Sequence, residues 1–310
     1  MTRIAVIDIG TNSTRLLVAD VNGDEVRELE RRSTVTRLGR GVDTSGTLAA
    51  EAIDDVCEAI ASYIDLYRPL EPDRLSAIAT SAVRDAANGD AFLAELRERF
   101  ALDARVVDGA EEARLTYLGA TLGRPANGST LVVDIGGGST ELVLGSGPDV
   151  SFFASLQAGT VRHTERCLPH DPPRPEELEA LAASVHRLIA DALASQPIAG
   201  ASHGIAVAGT PTSLAAIDQE LDPYDPERVH GYVLDLAAIQ RMLASLATKP
   251  LADRLAVKGL HPGRAPTIVA GVVILIEVMR AFGLTKIEVS EHDILWGVAL
   301  AADRQPAAAR

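Results

Sequence analysis

The sequence predicts an α/β protein built twice over, each half a mixed β-sheet flanked by helices. Three observations predict it. First, Val6-Ile7-Asp8-Ile9-Gly10-Thr11-Asn12-Ser13-Thr14-Arg15-Leu16-Leu17-Val18 aligns without a gap against Val132-Val133-Asp134-Ile135-Gly136-Gly137-Gly138-Ser139-Thr140-Glu141-Leu142-Val143-Leu144. Asp, Ile, Gly, Ser, Thr and Leu coincide at matched positions, so the chain contains an internal repeat. Second, each copy reads as a β-branched strand ending in Asp, a turn of small polar residues, and a second apolar strand. Third, helical and strand-like stretches alternate behind each copy, the pattern of a sheet covered by helices.

In chain order, the Asn22-Gly23-Asp24 turn signal leads the first copy into a third strand. Helices are expected at 48–67 and 90–100, with short strands at 75–79 and 104–107. A further helix opens at Asp108-Gly109-Ala110-Glu111-Glu112-Ala113-Arg114-Leu115, where Asp108 and Glu111 have the spacing of a capping box. Gly123-Arg124-Pro125-Ala126-Asn127-Gly128-Ser129 has linker composition. The second half repeats the plan, with helix at 175–193, strand at 204–208, helices at 236–246 and 267–282, and strand at 286–289. A last helix, about 292–302, follows. The expected domains are 1–124 with 292–310, and 125–291.

Bulk properties narrow the function. The net charge of -14 argues against non-specific binding to nucleic acid or an anionic membrane. Any anionic substrate would need local cations, backbone N–H donors or metal. Arg31, Arg32, Arg37 and Arg40 lie in a stretch with no acid, which is either a cationic patch or a solvated strand edge. Cys57 and Cys167 have neither metal-ligand spacing nor a disulfide framework. The start of the chain lacks a signal-peptide layout, and the longest apolar run, 268–276, is too short to span a bilayer. A cytoplasmic location is therefore expected. The seven histidines are scattered, and no Walker-type loop or nucleophile elbow occurs.

The two hairpin turns carry the strongest chemical signal. A carboxylate at a strand end, followed by small residues with available N–H groups, lets phosphate oxygens approach the backbone. Gly136, Gly137 and Gly138 make this plainest, while Thr11, Asn12, Ser13, Ser139 and Thr140 add hydroxyl or amide groups. Ordinary tight hairpins also select Gly and Asn, but matched turns in two domains favour a shared phosphate ligand in a cleft. Asp8 and Asp134 at the strand ends are candidate magnesium ligands. Glu141 stands where the first copy has Arg15. This suggests a division of labour, with Arg15 on phosphate and Asp134 with Glu141 placing metal; exposed strand positions are the alternative for both. Arg84 follows a strand end, where ligands of such sheets gather. The loop Ala208-Gly209-Thr210-Pro211-Thr212-Ser213 suits a further phosphate or a ribose, and a plain helix N-terminus accounts for it equally well; Arg264, just before the helix at 267, is a phosphate candidate or a surface arginine. Glu112 is not needed for the cap, yet the helix dipole alone favours an acid there.

Taken in order, Asp8-Ile9-Gly10-Thr11-Asn12-Ser13-Thr14-Arg15, Ala79-Thr80-Ser81-Ala82-Val83-Arg84, Glu111-Glu112-Ala113-Arg114-Leu115, Asp134-Ile135-Gly136-Gly137-Gly138-Ser139-Thr140-Glu141 and Val289-Ser290-Glu291 resemble the exopolyphosphatase/guanosine pentaphosphate phosphohydrolase (Ppx/GppA) family. The resemblance implies two ribonuclease-H-like domains of the actin-like ATPase superfamily, with the final helix returning to the first domain. It implies Glu112 as the base that activates water, and Mg²⁺ (or Mn²⁺) near Asp134 and Glu141. It also implies removal of terminal phosphate from inorganic polyphosphate, or conversion of guanosine pentaphosphate to tetraphosphate. A kinase on the same fold and a non-catalytic alarmone sensor are the more distant alternatives. Larger members carry extra C-terminal helical domains, and this chain stops soon after Trp296, so short polyphosphate is the expected substrate. A homodimer is expected on the resemblance alone.

Overall fold

A computed structural model describes residues 1–124, 128–196 and 200–304, and these divide between two compact units, Met1–Gly123 with Asp293–Arg310, and Arg124–His292. Residues 125–127 of the linker-like stretch, and 305–310 of the expected first domain, lie outside the described residues.

The sheet of the first unit has the order β3-β2-β1-β4-β5. Strands β1 (Thr2–Ile9), β2 (Ser13–Asn22) and β3 (Glu25–Val35) form an antiparallel meander; β4 (Arg74–Ala79) and β5 (Ala104–Val106) extend it in parallel. Successive β1 side chains point to opposite faces, and helices cover both. Ala5, Ile7 and Ile9 pack in one cluster with Val56, Ile60 and Tyr63 of the Ala50–Tyr67 helix. Ile4 and Val6 pack in another with Leu115 and with Trp296, Val298 and Leu300 of the Ile294–Arg304 helix. This double cover is why β1 reads as a near-continuous apolar run.

On β2, Asp20 is flanked by its cross-strand neighbours and accepts from Arg3 Nε of β1 at 2.8 Å and Arg27 Nη2 of β3 at 2.6 Å. The two guanidiniums, Arg3 first, pull its carboxyl from 3.8 down to about 2. A depressed carboxylate contributes stability that is complete above its unfolded value and lost as pH falls through its folded one. Asp20→Asn should therefore flatten the acid side of the stability curve between about pH 4 and pH 2. Denaturant titrations of both proteins across that window check this. Parallel curves would show that the cluster contributes nothing there.

The sheet of the second unit runs β10-β11-β9-β6-β7-β8. Here β6 (Thr130–Ile135), β7 (Thr140–Ser146) and β8 (Asp149–Leu156) repeat the meander, and β9 (His203–Val207) and β11 (Lys286–Val289) add parallel neighbours. The Ile268–Ala281 helix is buried from Ile268 to Met279, which accounts for an apolar run without helical periodicity.

Sequence and structure differ locally. The first long helix starts at Ala50 instead of 48, because Leu48 N–H is held by Asn88 Oδ1 at 2.8 Å. The strand expected through 208 stops at Val207, since Ala208 adopts a left-handed φ of 70°. Among the elements that escaped the sequence reading are the Thr160–Cys167 helix, short and rich in charge, several helices of four residues such as Val42–Ser45 and Pro226–Val229, and the three-residue edge strand β10 (Val233–Asp235), while the loop read at 208–213 opens the Gly209–Asp218 helix.

Candidate active site

In the first unit Asp8 on β1 faces Arg15 on β2. Between them Gly10 N–H donates to Ser13 O at 3.1 Å, closing the turn. The carbonyls of this turn are occupied: Thr11 O accepts from Gly39 N, and Asn12 O accepts from Thr36 N and Arg37 N, at 2.7, 3.1 and 3.0 Å. Thr11 Oγ1 accepts from Ala82 N at 3.2 Å, tying the turn to the Ser81–Asp85 helix after β4. With the carbonyls turned into the protein, the turn presents N–H groups, the polarity an anion needs.

Arg15 is not an exposed strand residue. Its Nε and Nη2 donate to Asp8 Oδ2 at 2.8 and 2.5 Å, and its Nη1 bonds Asp293. The phosphate role read from the sequence thus falls on a guanidinium already held by two carboxylates. Asp293, which the sequence reading did not single out, also accepts from Leu295 N at 3.0 Å at the start of the last helix. An Asp just before an apolar helical run was the available signal for the cap; its pairing with Arg15 left no trace in the sequence. Asp8 is 2% exposed, and burial pushes its carboxyl pKa up while Arg15 pulls it down. Its Oδ1 is buried and makes no hydrogen bond among the described residues.

Glu112 lies in the first turn of the Gly109–Ala120 helix, which Asp108 caps by accepting from Glu111 N at 2.8 Å. Glu111 does not complete the reciprocal half of the box; its carboxylate pairs with Arg105 at 2.7 Å. Glu112 is 7% exposed and takes Arg84 Nη1 at 3.1 Å, while the same Nη1 donates to Val107 O at 2.8 Å. The two expected catalytic side chains are therefore in contact, with the guanidinium orienting the carboxylate.

The second unit repeats the turn. Gly136 N–H donates to Ser139 O at 3.0 Å, matching Gly10 and Ser13. Gly136 O accepts from Thr160 N, Gly137 O from Val161 N and Arg162 N, and Gly138 O from Arg162 Nε, at 2.9, 2.9, 3.2 and 2.8 Å. The short helix missed in the sequence thus holds the loop's carbonyls. No acceptor among the described residues takes the N–H groups of Gly137, Gly138 or Ser139. A side chain at Gly159 would meet Gly137 O at 2.2 Å, so helix and loop are in backbone contact. Thr140 does not face outward as a donor: its hydroxyl is buried and bonds Ala158 O.

Asp134 and Glu141 are direct cross-strand neighbours, 7% and 1% exposed. Glu141 accepts from Ser155 Oγ on β8 at 2.8 Å, a partner the sequence could not pair with it. Two buried carboxylates side by side offer oxygen donors that suit a divalent cation. Among the described residues no group of three or more His, Cys, Asp or Glu side chains gathers as a metal cage. Magnesium characteristically uses one or two carboxylates and completes its shell with water and phosphate oxygens, so the Asp134–Glu141 pair fits it. Arg264 lies against the start of the Gly209–Asp218 helix, where a Cβ on Gly209 would fall 0.9 Å from its Nη1. Gly209 is what leaves room for that guanidinium.

Paired turns of this kind, on two mixed sheets flanked by helices, define a phosphate-handling protein of the actin-like superfamily. The model of the Ppx/GppA phosphatase family matches residues 16–301, and the chain belongs to that family. It is 38% identical over 315 residues to Exopolyphosphatase 2 of Mycobacterium tuberculosis, covering 97% of this chain and 98% of that protein. A solved structure of an exopolyphosphatase-like protein superposes with a TM-score of 0.92 at 33% identity, covering 97% of each chain. The Aquifex aeolicus member of the Ppx/GppA family superposes with a TM-score of 0.83 at 29% identity, covering 98% of this chain and 99% of that one. Among the described residues no helix is long and apolar enough to cross a membrane.

Proposed function

We propose that the protein hydrolyses the terminal phosphoanhydride of inorganic polyphosphate, with short chains preferred. The observation that carries this reading is the matched pair of turns, each with its carbonyls tied back into the protein, accompanied by the buried Glu112–Arg84 contact. The relatives' names, exopolyphosphatase among them, support the same substrate class.

In this reading Glu112 accepts a proton from water as the water oxygen bonds to the terminal phosphorus. The bond from that phosphorus to the bridging oxygen breaks, and the shortened chain leaves with the electron pair. Arg84 keeps the Glu112 carboxylate oriented and, with Arg15 and Arg264, offsets charge on the phosphoryl oxygens. The N–H groups of Thr11 and Asn12, with the Ser13 hydroxyl, are the first unit's phosphate donors, and those of Gly137, Gly138 and Ser139 are the second unit's. Because phosphoryl transfer asks for little covalent help, positioning and electrostatics carry most of the acceleration. Asp134 and Glu141 would hold Mg²⁺ or Mn²⁺, whose role is to polarise the phosphoryl oxygens and screen their charge. Asp8, whose Oδ1 has no hydrogen-bond partner among the described residues, would be the first unit's carboxylate toward the metal.

Metal dependence is tested by measuring phosphate release before chelation, after it, and after Mg²⁺ or Mn²⁺ is returned. The expected result is loss followed by recovery, with Asp134→Asn shifting half-maximal recovery to higher metal concentration. Release undiminished by chelator would contradict the metal assignment.

A further inference from the structure

The stretch Arg31, Arg32, Arg37 and Arg40 separates into two pairs in the structure. Arg31 lies 3.5 Å from Glu28 and over the Trp296 ring, and Arg32 pairs with Glu30 at 2.6 Å. These are neutralised strand residues. Arg37 and Arg40 are exposed and have no acid partner among the described residues. In a chain of net charge -14, two exposed cations without acids beside the Thr11 turn are worth an explanation.

Their backbone is bound to that turn. Thr36 N and Arg37 N both donate to Asn12 O, and Gly39 N donates to Thr11 O. Gly39 packs so closely that a Cβ there would meet Thr11 Cγ2 at 2.1 Å. Leu38, between the two arginines, is fully buried, and Arg40 N donates to Arg37 O at 2.9 Å. Arg37 itself holds a left-handed φ of 50°, which a non-glycine residue adopts only under constraint. The segment is thus a rigid turn pinned by Leu38, with an exposed arginine on each side.

We infer that Arg37 and Arg40 form a second anion subsite, which takes phosphates of the chain beyond the one held by the Thr11–Asn12 turn. The inference rests on the polyphosphate reading and adds a specificity element to it, because a guanidinium pairs well with successive phosphate oxygens. Longer chains would engage both cations, and the shortest would not.

The test compares kcat/KM on tripolyphosphate and on chains of a few tens of phosphates for the intact protein, Arg37→Gln/Arg40→Gln and Arg37→Lys/Arg40→Lys. The Gln variant should lose about tenfold on the long chains and much less on tripolyphosphate, the scale expected for two exposed charge–phosphate contacts. The loss should fall mainly on KM and shrink at high salt, and the Lys variant should recover most of it. Unchanged thermal midpoints exclude misfolding as the cause. Equal losses on both substrates, or none on either, would overturn the subsite while leaving the hydrolase reading intact. An intact protein that releases no phosphate from any chain would overturn that reading and the subsite together.

Discussion

Replacing Glu112 with Gln lowers turnover on polyphosphate by about two to four orders of magnitude, the range general-base catalysis supplies, and leaves KM within a fewfold of the original. Gln preserves the side chain's shape, and its amide oxygen can still accept the Arg84 hydrogen bond found at 3.1 Å. The helix cap is also preserved, since Asp108 serves Glu111 N and the Glu112 backbone. What Gln removes is the ability to take a proton from water. Steady-state kinetics on one substrate at fixed metal concentration measure this. Near-normal turnover would take the base role away from Glu112.

The second large effect concerns stability. A methyl group added at Gly297 would stand 1.8 Å from Leu115 O and 2.6 Å from Leu115 C, and one at Gly119 would stand 1.9 Å from Asp293 O. The two helices therefore cross with backbone in contact, and no flexible side chain can give way. Gly297→Ala forces them apart despite alanine's better helix propensity, at a cost of about 2–3 kcal/mol. A loss of roughly 5–10 °C in the thermal midpoint follows at this domain size. Activity should fall too, because one helix carries Glu112 and the other directly follows Asp293, which holds Arg15. A midpoint unchanged within about one degree would mean that the crossing relaxes at little cost.

Much of the fold was legible because the repeated element is local. A strand, a small-residue turn and a second strand are written in consecutive residues, so both Asp-containing hairpins and their sheets could be read from periodicity. Pairings across long separations were not legible. Asp293 joins Arg15 from 278 residues away, and Gly119 and Gly297 meet only after folding. Ser155 reaches Glu141 through a strand register that spacing does not encode. The Thr160–Cys167 helix was missed because its charged residues hide the function of its first turn, which binds loop carbonyls through backbone N–H groups. Side-chain patterns do not record such bonds. The arginine stretch shows the same limit: four cations look alike in sequence, and only the strand partners Glu28 and Glu30 distinguish the neutralised pair from Arg37 and Arg40.

The most direct test of the central claim is phosphate release by the purified protein from short polyphosphate, from long polyphosphate and from guanosine pentaphosphate, with Mg²⁺ present and no acceptor added. Release from polyphosphate is expected, fastest on short chains, with Mg²⁺ present and water as the only acceptor. Release from guanosine pentaphosphate alone would move the substrate assignment to the alarmone. Tight binding of guanosine tetraphosphate with no phosphate released from any of the three would contradict the hydrolase account and leave a binding protein on this scaffold.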